Sequence, residues 1–354
     1  MKKFSGLFVV FIVGLTLIGC GSSQEELVVY SGRSQPLVDG LVEQFNQEHD
    51  LTVKVKYGKD AQLLAALREE GSQSPADVYW ANTTGALTNA AQNDLLEPLP
   101  ETLRSKPERF VPESGAWVPI TTRFRILAYN SNSINPEQLP DSVLDLPSVD
   151  GLQGRVGWTP TYSSFQDFLT ILRTKEGEEA ARQWLRSMSG LNPKSYSSNT
   201  PMIRALAAGE IDVALTNHYY VLGLKHGGAE GEYEEEEHEE EKEEEEGPRP
   251  SAPVETYRFS PGDAGNLAMV TGAGILSSSD QPEIAREFLE FLLSETAQSF
   301  AAEQVNEYPV VSGTSVPDYM IPAEEALELS PDFQPSRLQE LDTTLDMLRQ
   351  ENIL

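Results

Sequence analysis

The sequence is poor in cysteine, histidine and basic residues. Its single cysteine and four histidines among 354 residues exclude a disulfide framework within the chain and any cysteine-rich metal site. Lysine and arginine number 26, whereas aspartate and glutamate number 56, so the formal net charge is −30. Because so acidic a protein repels the phosphate backbone, we expect no nucleic-acid partner.

Common catalytic signatures are also missing. The sequence contains no H-E-x-x-H, Walker-type or G-x-G-x-x-G pattern, and these are the usual signatures of metalloproteases, NTPases and dinucleotide-binding enzymes. It also lacks an ordered serine, histidine and acid around a nucleophile elbow, so a surface hydrolase has no support. The sequence therefore gives no support to these common classes of enzyme.

The pattern of apolar residues predicts an α/β fold. A chain of 354 residues is long enough for about two domains. Strands are predicted at 27–30, 51–57 and 77–80, with helices at 36–48 and 61–70 between them, and this alternation favours a mostly parallel sheet. Later strands are predicted at 125–129, 155–159, 211–215 and 266–271, and helices at 164–174, 177–188, 200–208, 282–293 and 336–354.

The amino terminus has the pattern of an export signal. Lys2 and Lys3 precede an apolar run from Leu7 to Ile18, which is shorter than the roughly 20 residues of a membrane span. The sequence L-I-G-C, which ends at Cys20, resembles the bacterial lipobox. That resemblance implies a signal peptide over 1–19, a lipid on the Cys20 thiol and a tether over 20–26. The alternative is an ordinary signal peptide with a chance cysteine.

A strongly acidic segment interrupts the folded pattern. Residues 230–246 contain thirteen glutamates and one lysine, and a block that repels itself buries too little apolar surface to fold. Glycines and prolines flank it, so we predict a disordered insertion over 228–252. A weak cation-binding role that includes His226 and His238 is the alternative to a solvated insertion, as is an adhesive or scaffolding role.

Two adjacent tyrosines are the most informative chemical feature. Asn217, His218, Tyr219 and Tyr220 follow the strand predicted at 211–215, at the end of a strand where open α/β sheets bind ligands. A phenolate is a hard anionic oxygen donor, which suits a hard trivalent cation such as ferric iron. The same pair is also compatible with aromatic side chains that pack in a sheet or a groove.

Several strings together resemble one family. They are V-V-Y-S-G-R at 28–33, G-S-Q-S-P-A-D-V-Y-W at 71–80, V-G-W-T-P-T at 156–161, G-E-I-D-V-A-L-T-N-H-Y-Y at 209–220 and N-E-Y-P at 306–309. In this order they resemble the periplasmic ferric-iron-binding proteins of bacterial ABC importers. The resemblance implies two α/β lobes that close on the ligand like a hinge, and delivery to an ABC permease. On this interpretation we expect a binding protein and not an enzyme. We expect a monomer with lobe 1 over 27–122 and 262–308, and lobe 2 over 123–261 and 309–354.

The resemblance also implies a set of metal ligands. It assigns iron coordination to Tyr219 and Tyr220, and Tyr162 is a candidate third ligand or else a wall residue of the cleft. Ser34 and Asn82 stand where many relatives carry histidine and glutamate, so the first lobe offers little direct coordination. His218 is an alternative substitute ligand beside the pair, but we expect a structural role for it, because its side chain would point away from its neighbours in an extended backbone.

A small anion, carbonate or phosphate, accompanies iron in this family. Arg123 and Arg125 alternate on one strand, so either guanidinium is suited to hold an anion in a bidentate manner, and an ordinary salt bridge is the alternative. A second hypothesis keeps the fold but replaces the metal by a small organic or inorganic anion. The resemblance carries over by position the candidate anion-binding residues Arg125, Ser163, Ser164, Asn199 and Asn217, and the alternation on the strand adds Arg123.

Overall fold

The computed structural model describes residues 25–49, 51–107, 109–228, 248–332 and 340–354. The signal peptide predicted over 1–19, the lipidation site Cys20 and most of the tether lie outside these residues. Most of the predicted insertion over 228–252 lies outside them too. No helix within the described ranges is both long enough and apolar enough to cross a membrane.

The predicted α/β class is confirmed. Strands and helices alternate along the chain, and the strands within the described residues form one ten-stranded sheet. The strands are β1 (Glu25–Ser31), β2 (Leu51–Tyr57), β3 (Val78–Ala81), β4 (Val118–Asn130), β5 (Val156–Trp158), β6 (Lys194–Ser195), β7 (Val213–Asn217), β8 (Val254–Tyr257), β9 (Ala268–Ile275) and β10 (Tyr308–Pro309).

The helices flank this sheet and bury their apolar sides against it. Helix α1 shows why: Pro36 suits the first turn, and Leu37, Leu41 and Phe45 recur at helical spacing and are buried. The helices are α1 (Gln35–Glu48), α2 (Asp60–Glu70), α3 (Thr84–Gln92), α4 (Glu101–Arg104), α5 (Ser163–Glu176), α6 (Glu178–Gly190), α7 (Asn199–Ala207), α8 (His218–His226), α9 (Pro282–Leu292), α10 (Glu295–Val305), α11 (Ala323–Leu329) and α12 (Leu341–Gln350).

The sheet has two parallel ends joined by antiparallel strands. Its order is β2-β1-β3-β9-β4-β7-β5-β6, with β8 and β10 also paired to β4. Strands β1, β2 and β3 are parallel at one end, and β5, β6 and β7 are parallel at the other. Strand β4 pairs antiparallel with both β9 and β7, so it connects the two halves.

Separate hydrophobic cores support the two halves. On the β1 side, Phe45 packs against Phe288 with ring centroids 5.0 Å apart. On the β5 side, Phe168 packs against Trp184 at 5.4 Å. Strand β4 is buried along all thirteen residues and contributes side chains to both cores. Two groups of helices are thus packed on one shared central strand.

The structure corrects the predicted backbone around the paired tyrosines. The strand predicted at 211–215 lies at Val213–Asn217, and helix α8 begins directly at His218. The prediction of an extended backbone through Tyr219 and Tyr220 is therefore wrong. Side chains in the first turn of a helix do not alternate between two sides, so the argument used for His218 fails with it.

Other predicted bounds differ less. The strand predicted at 125–129 lies near the carboxyl end of the much longer β4, and the one predicted at 266–271 begins and ends later, as β9. The final helix predicted over 336–354 is described from Leu341 to Gln350, and part of the predicted range lies among residues that the structure does not describe. Apolar periodicity located these elements but not their ends.

Candidate ligand-binding site

The candidate site lies where β5 and β7 end and helices begin. Helix α8 starts immediately after β7, with Asn217 as its N-cap, so Tyr219 and Tyr220 occupy its first turn. Helix α5 starts at Ser163 with Tyr162 as its N-cap. Because β5 and β7 are neighbouring parallel strands, their carboxyl ends bring these two helix starts together.

The structure brings the three candidate tyrosines together. The hydroxyl oxygens of Tyr162 and Tyr220 are 3.0 Å apart. The rings of Tyr219 and Tyr220 have centroids 4.4 Å apart and an interplanar angle of 35°. Oxygen ligands lie about 2 Å from a bound metal ion, so two ligands of one ion are within about 4 Å of each other. The Tyr162–Tyr220 spacing therefore fits oxygens that share one cation.

The tyrosine side chains are well shielded from water. Tyr219 is 2% exposed and Tyr220 is 5% exposed, whereas Tyr162 is partly exposed. Ile126 and Met202 belong to the apolar cluster that includes both tyrosines. A lone phenolate is costly in such surroundings, but a phenolate that contacts a cation is compensated.

A second polar group surrounds Arg125. Its Nη1 donates to Asn217 Oδ1 at 3.0 Å and to Ser164 Oγ at 3.2 Å, and its Nη2 donates to the Leu215 carbonyl at 2.8 Å. Asn199 Nδ2 donates to the same Ser164 Oγ at 3.4 Å. Four of the six predicted anion-binding residues are thus brought into one buried network. Asn217 also donates to the Tyr219 hydroxyl at 3.2 Å, which links this network to the tyrosines.

Two helix starts add partial positive charge to this network. Helices α5 and α7 begin at Ser163 and Asn199, and neither N-cap side chain accepts a hydrogen bond from its helix. Free N–H groups at a helix start favour anions. The buried Oδ1 of Asn199 and Oγ1 of Thr159 have no hydrogen-bond partner among the described residues. A buried polar atom of this kind is compatible with a bound polar ligand or water.

Arg123, the sixth predicted anion-binding residue, contacts different groups. Its Nη1 donates to Asn82 Oδ1 at 2.7 Å, and its Nη2 donates to the Asn82 carbonyl at 3.1 Å. Arg33 Nη1 donates to the same Asn82 Oδ1, and Arg33 Nη2 donates to Glu307 Oε2 at 2.8 Å. The side chains of both arginines and of Glu307 are completely buried. We call Arg33, Asn82, Arg123 and Glu307 the arginine cluster.

The arginine cluster explains what Asn82 does in the structure. Its side-chain oxygen accepts two hydrogen bonds from guanidinium groups, and its backbone N–H donates to Asp60 Oδ1 at 3.0 Å. An oxygen occupied by two cationic donors is a poor metal ligand. Ser34 is buried as well, and its hydroxyl has no hydrogen-bond partner among the described residues.

Sequence reasoning did not single out Arg33 or Glu307. Both belong to strings that carry the family resemblance, Arg33 at the end of V-V-Y-S-G-R and Glu307 within N-E-Y-P. The two residues are 274 positions apart, and each is an ordinary charged residue in its local context. A buried charge requires a partner, but burial at these positions is a property of the fold.

His218 has backbone partners on both ring nitrogens. The Phe124 N–H donates to His218 Nδ1 at 3.1 Å, so Nε2 carries the proton and donates to the Asn306 carbonyl at 2.7 Å. Burial lowers the pKa of His218 to about 3, and the positive charge of Arg258 acts in the same direction. His218 therefore remains neutral and ties α8 to β4 and to the residue after α10.

Within the described ranges, no group of three or more histidine, cysteine, aspartate or glutamate residues is arranged to hold a metal ion. Cavities of about 610 and 430 Å³ open elsewhere on the surface, and neither is lined by the candidate tyrosines.

Comparison with known proteins places the chain in a family. The model of bacterial extracellular solute-binding proteins matches residues 32–299, well over half of the chain. The chain belongs to this family. Its members bind solutes for transport, and the structure has the two-lobed periplasmic binding protein fold of its structural neighbours. The predicted fold and the predicted resemblance are confirmed.

Relatives within this family are named for ferric iron. The chain is 27% identical over 308 residues to the Fe(3+)-binding periplasmic protein of Serratia marcescens, and the aligned region covers 86% of this chain and 84% of that protein. It is 29% identical over 289 residues to the major ferric iron-binding protein of Neisseria meningitidis serogroup B, and the aligned region covers 80% of this chain and 81% of that protein. Iron-bound HitA from Pseudomonas aeruginosa is structurally similar, with a TM-score of 0.79, 29% identity, and 92% of this chain and 99% of that chain covered.

Proposed function

We propose that the protein is an exported, lipid-anchored solute-binding protein that captures ferric iron and delivers it to an ABC permease. Tyr162, Tyr219 and Tyr220 provide the ligands. The observation that carries the proposal is the 3.0 Å spacing of the Tyr162 and Tyr220 hydroxyl oxygens beside the ring of Tyr219. The ferric-iron names of the relatives support the choice of metal.

Capture of iron displaces protons from the tyrosines. A free tyrosine has a pKa of about 10, so near neutral pH only a strong cation removes its proton. Each phenolate formed at the metal releases one proton, and iron binding weakens as the pH falls. The shielded position of Tyr219 and Tyr220 strengthens the attraction between phenolate and cation, because little water screens it.

A carbonate or phosphate ion binds beside the iron. Arg125, Ser163, Ser164, Asn199 and Asn217 form the anion subsite, and three features support it: the Arg125 guanidinium, the start of α5 and the start of α7. An oxyanion that contacts both the guanidinium and the metal completes the coordination from the side that the tyrosines leave open. Arg123 lies in the arginine cluster, where its guanidinium contacts Asn82.

The two lobes must separate before iron enters. The burial of Tyr219 and Tyr220 supports this step, since solvent reaches these two side chains poorly. A ligand that contacts both lobes favours the closed state by its additional binding energy there. The lobe boundaries proposed are 27–122 with 262–308 for lobe 1, and 123–261 with 309–354 for lobe 2. The central strand β4 crosses between them.

A visible absorption band tests the proposal. The mature chain is purified, stripped of metal, and titrated with ferric iron in the presence of bicarbonate. A phenolate-to-iron charge-transfer band that saturates at one iron per chain is the expected result. A colourless protein that nevertheless binds bicarbonate or phosphate without metal contradicts the proposal and favours the second candidate, a metal-free anion-binding protein that uses the buried network around Arg125.

Membrane attachment is tested separately in cells. Cys20→Ala removes the thiol that the lipobox resemblance assigns to the lipid. The expected result is transfer of the protein from the membrane fraction to the soluble exported fraction, with unchanged iron binding. Retention of the Cys20→Ala protein in the membrane fraction contradicts lipid anchoring.

A further inference from the structure

Asn306 holds both ends of the helix that carries the paired tyrosines. At the start of α8, His218 Nε2 donates to the Asn306 carbonyl at 2.7 Å. At its end, Asn306 Nδ2 donates to the carbonyl of Gly227, the C-cap, at 3.1 Å. Asn306 is completely buried and has a left-handed backbone, with φ of 56°. One residue from a distant part of the sequence thus fixes α8 along its length.

Tyr319 completes this attachment. Its hydroxyl donates to Asn306 Oδ1 at 2.8 Å, and its ring stacks on His226, the last residue of α8, with centroids 4.0 Å apart and an interplanar angle of 6°. The side-chain amide of Asn306 is therefore used on both its oxygen and its nitrogen. Little freedom remains for α8 to shift relative to Asn306.

The next residue, Glu307, contacts a residue that follows β1 and a residue of the central strand β4 instead of α8. Its Oε2 accepts hydrogen bonds from Arg33 Nη2 at 2.8 Å and from Thr121 Oγ1. Arg33 in turn donates to Asn82, and Thr121 lies on the central strand β4. Two consecutive residues therefore have different partners: Asn306 contacts the helix that carries the paired tyrosines, and Glu307 belongs to the arginine cluster through its contact with Arg33.

We propose that Asn306 and Glu307 are positioning residues that couple the orientation of the tyrosine helix to the arginine cluster. The inference rests on the proposed function. Because consecutive residues share one peptide group of fixed geometry, a displacement of Glu307 that follows Arg33 is passed to Asn306. The movement reaches both ends of α8 through Gly227 and His218. Neither residue contacts the iron; each acts through the groups that it holds.

The coupling gives lobe movement a direct effect on iron retention. When the arginine cluster occupies its closed position, α8 holds Tyr219 and Tyr220 in the ligating orientation. When the cluster moves, the helix is released and the two phenolates lose their alignment with Tyr162. Opening therefore lowers iron affinity by changing the ligand geometry, in addition to exposing the site to water.

Asn306→Gly tests the coupling with little risk to folding. Glycine adopts the left-handed backbone without strain, and the carbonyl that His218 contacts is retained, so only the contacts of the side-chain amide are lost. Asn192→Gly is the matched control, because Asn192 is also left-handed, with φ of 52°, and is exposed after α6. Glu307→Gln, which retains an acceptor for Arg33, is the second variant.

Three measurements give the outcome. We expect Asn306→Gly to increase the rate of iron release about tenfold, to shift the wavelength of the charge-transfer band, and to speed hydrogen exchange of α8 amides in the metal-free protein. Glu307→Gln should change release in the same direction, and Asn192→Gly should change none of the three. If the wild type shows the charge-transfer band, but Asn306→Gly has the same band and the same release rate as the wild type, the coupling alone is overturned. If the wild type itself is colourless, the proposed function is overturned.

Discussion

The hydroxyl oxygens of Tyr162 and Tyr220 are in direct hydrogen-bond contact at 3.0 Å, although the residues belong to different helices. In the metal-free protein one of them donates to the other. In the proposed iron complex both protons are absent and the cation attracts both oxygens. Iron binding thus replaces a neutral hydrogen bond between the two oxygens by the coordination of both oxygens to one cation.

Removal of either oxygen should therefore weaken iron binding strongly. We expect Tyr220→Phe and Tyr162→Phe each to reduce ferric affinity by about 100-fold or more and to weaken the charge-transfer band. Tyr257→Phe is the control, because that hydroxyl donates to the carbonyls of Leu139 and Pro140 away from the site. Competition with a chelator measures affinity. Equal affinity in Tyr220→Phe and Tyr257→Phe contradicts tyrosine ligation.

Arg125 should determine how strongly iron binding depends on the anion. Arg125→Lys retains the charge but loses the planar fork that contacts Asn217 and Ser164. We expect ferric affinity in bicarbonate to fall about tenfold, and the difference between bicarbonate and anion-free buffer to shrink. Titrations in both buffers measure the two effects.

Arg155→Lys is the matched control for this experiment. Arg155 donates two hydrogen bonds to the carboxylate of Asp212, at 2.8 and 2.6 Å. Arg155→Lys therefore removes a bidentate guanidinium contact that lies away from the candidate site. Its anion dependence should equal that of the wild type. The same loss of anion dependence in Arg155→Lys would show that the effect of Arg125→Lys is a general consequence of reduced stability.

The sequence predicted the elements around the site better than the site's backbone. Alternation in L-T-V-K-V-K-Y predicted β2 with the bounds that the structure shows, Leu51–Tyr57. The start of α8 was missed because H-Y-Y-V-L-G-L-K-H has weak helical periodicity and its N-cap, Asn217, also suits a turn. The local pattern did not distinguish a strand end from a helix start.

The long-range contact between Arg33 and Glu307 could not be predicted from the sequence, and the reason differs from that for α8. The strings that resemble the family include Arg33 and Glu307, but no spacing relates residues 274 positions apart. Their contact depends on how β1, β4 and the end of α10 come together in three dimensions. The ligand roles of the tyrosines, serines and asparagines remain predictions, and the structure adds the geometry from which they are tested.

Asn82 provides a test of the arginine cluster. Asn82→Asp changes the oxygen that accepts from Arg33 and Arg123 into a carboxylate. Charge-assisted hydrogen bonds are stronger than neutral ones, so we expect the free energy of unfolding to rise by about 1–2 kcal/mol. We expect ferric affinity to remain within about threefold of the wild type, since both arginines occupy the new carboxylate.

The control for this substitution is Asn89→Asp. Asn89 also accepts from an arginine, Arg68, but at the exposed surface, where such a pair contributes about 1 kcal/mol or less. Urea unfolding and chelator competition measure stability and affinity. A large increase of ferric affinity in Asn82→Asp would show that this side chain contacts the metal, as the glutamate of relatives is expected to do.

His218 should make stability depend on pH below neutrality. Burial and the charge of Arg258 lower its pKa to about 3 in the folded protein, whereas an unfolded histidine has a pKa of about 6.5. Between these values the unfolded state binds the additional proton, so the contribution to stability is present above pH 6.5 and is lost progressively as the pH falls towards 3. From pH 7 to pH 5 this one group should lower the free energy of unfolding by about 2 kcal/mol.

His218→Gln isolates that contribution. Glutamine has an acceptor and a donor that approximate the contacts with the Phe124 N–H and the Asn306 carbonyl, but it does not titrate. We expect the variant to be less stable at pH 7, and the loss of stability between pH 7 and pH 5 to be about 2 kcal/mol smaller than in the wild type. His49→Gln, at a partly exposed ring, is the control. If the free energy of unfolding falls equally with pH in His218→Gln and in the wild type, then His218 becomes protonated in the folded protein as the pH falls to 5. A protonated histidine has no free Nδ1 to accept the Phe124 N–H, so this result would contradict the prediction.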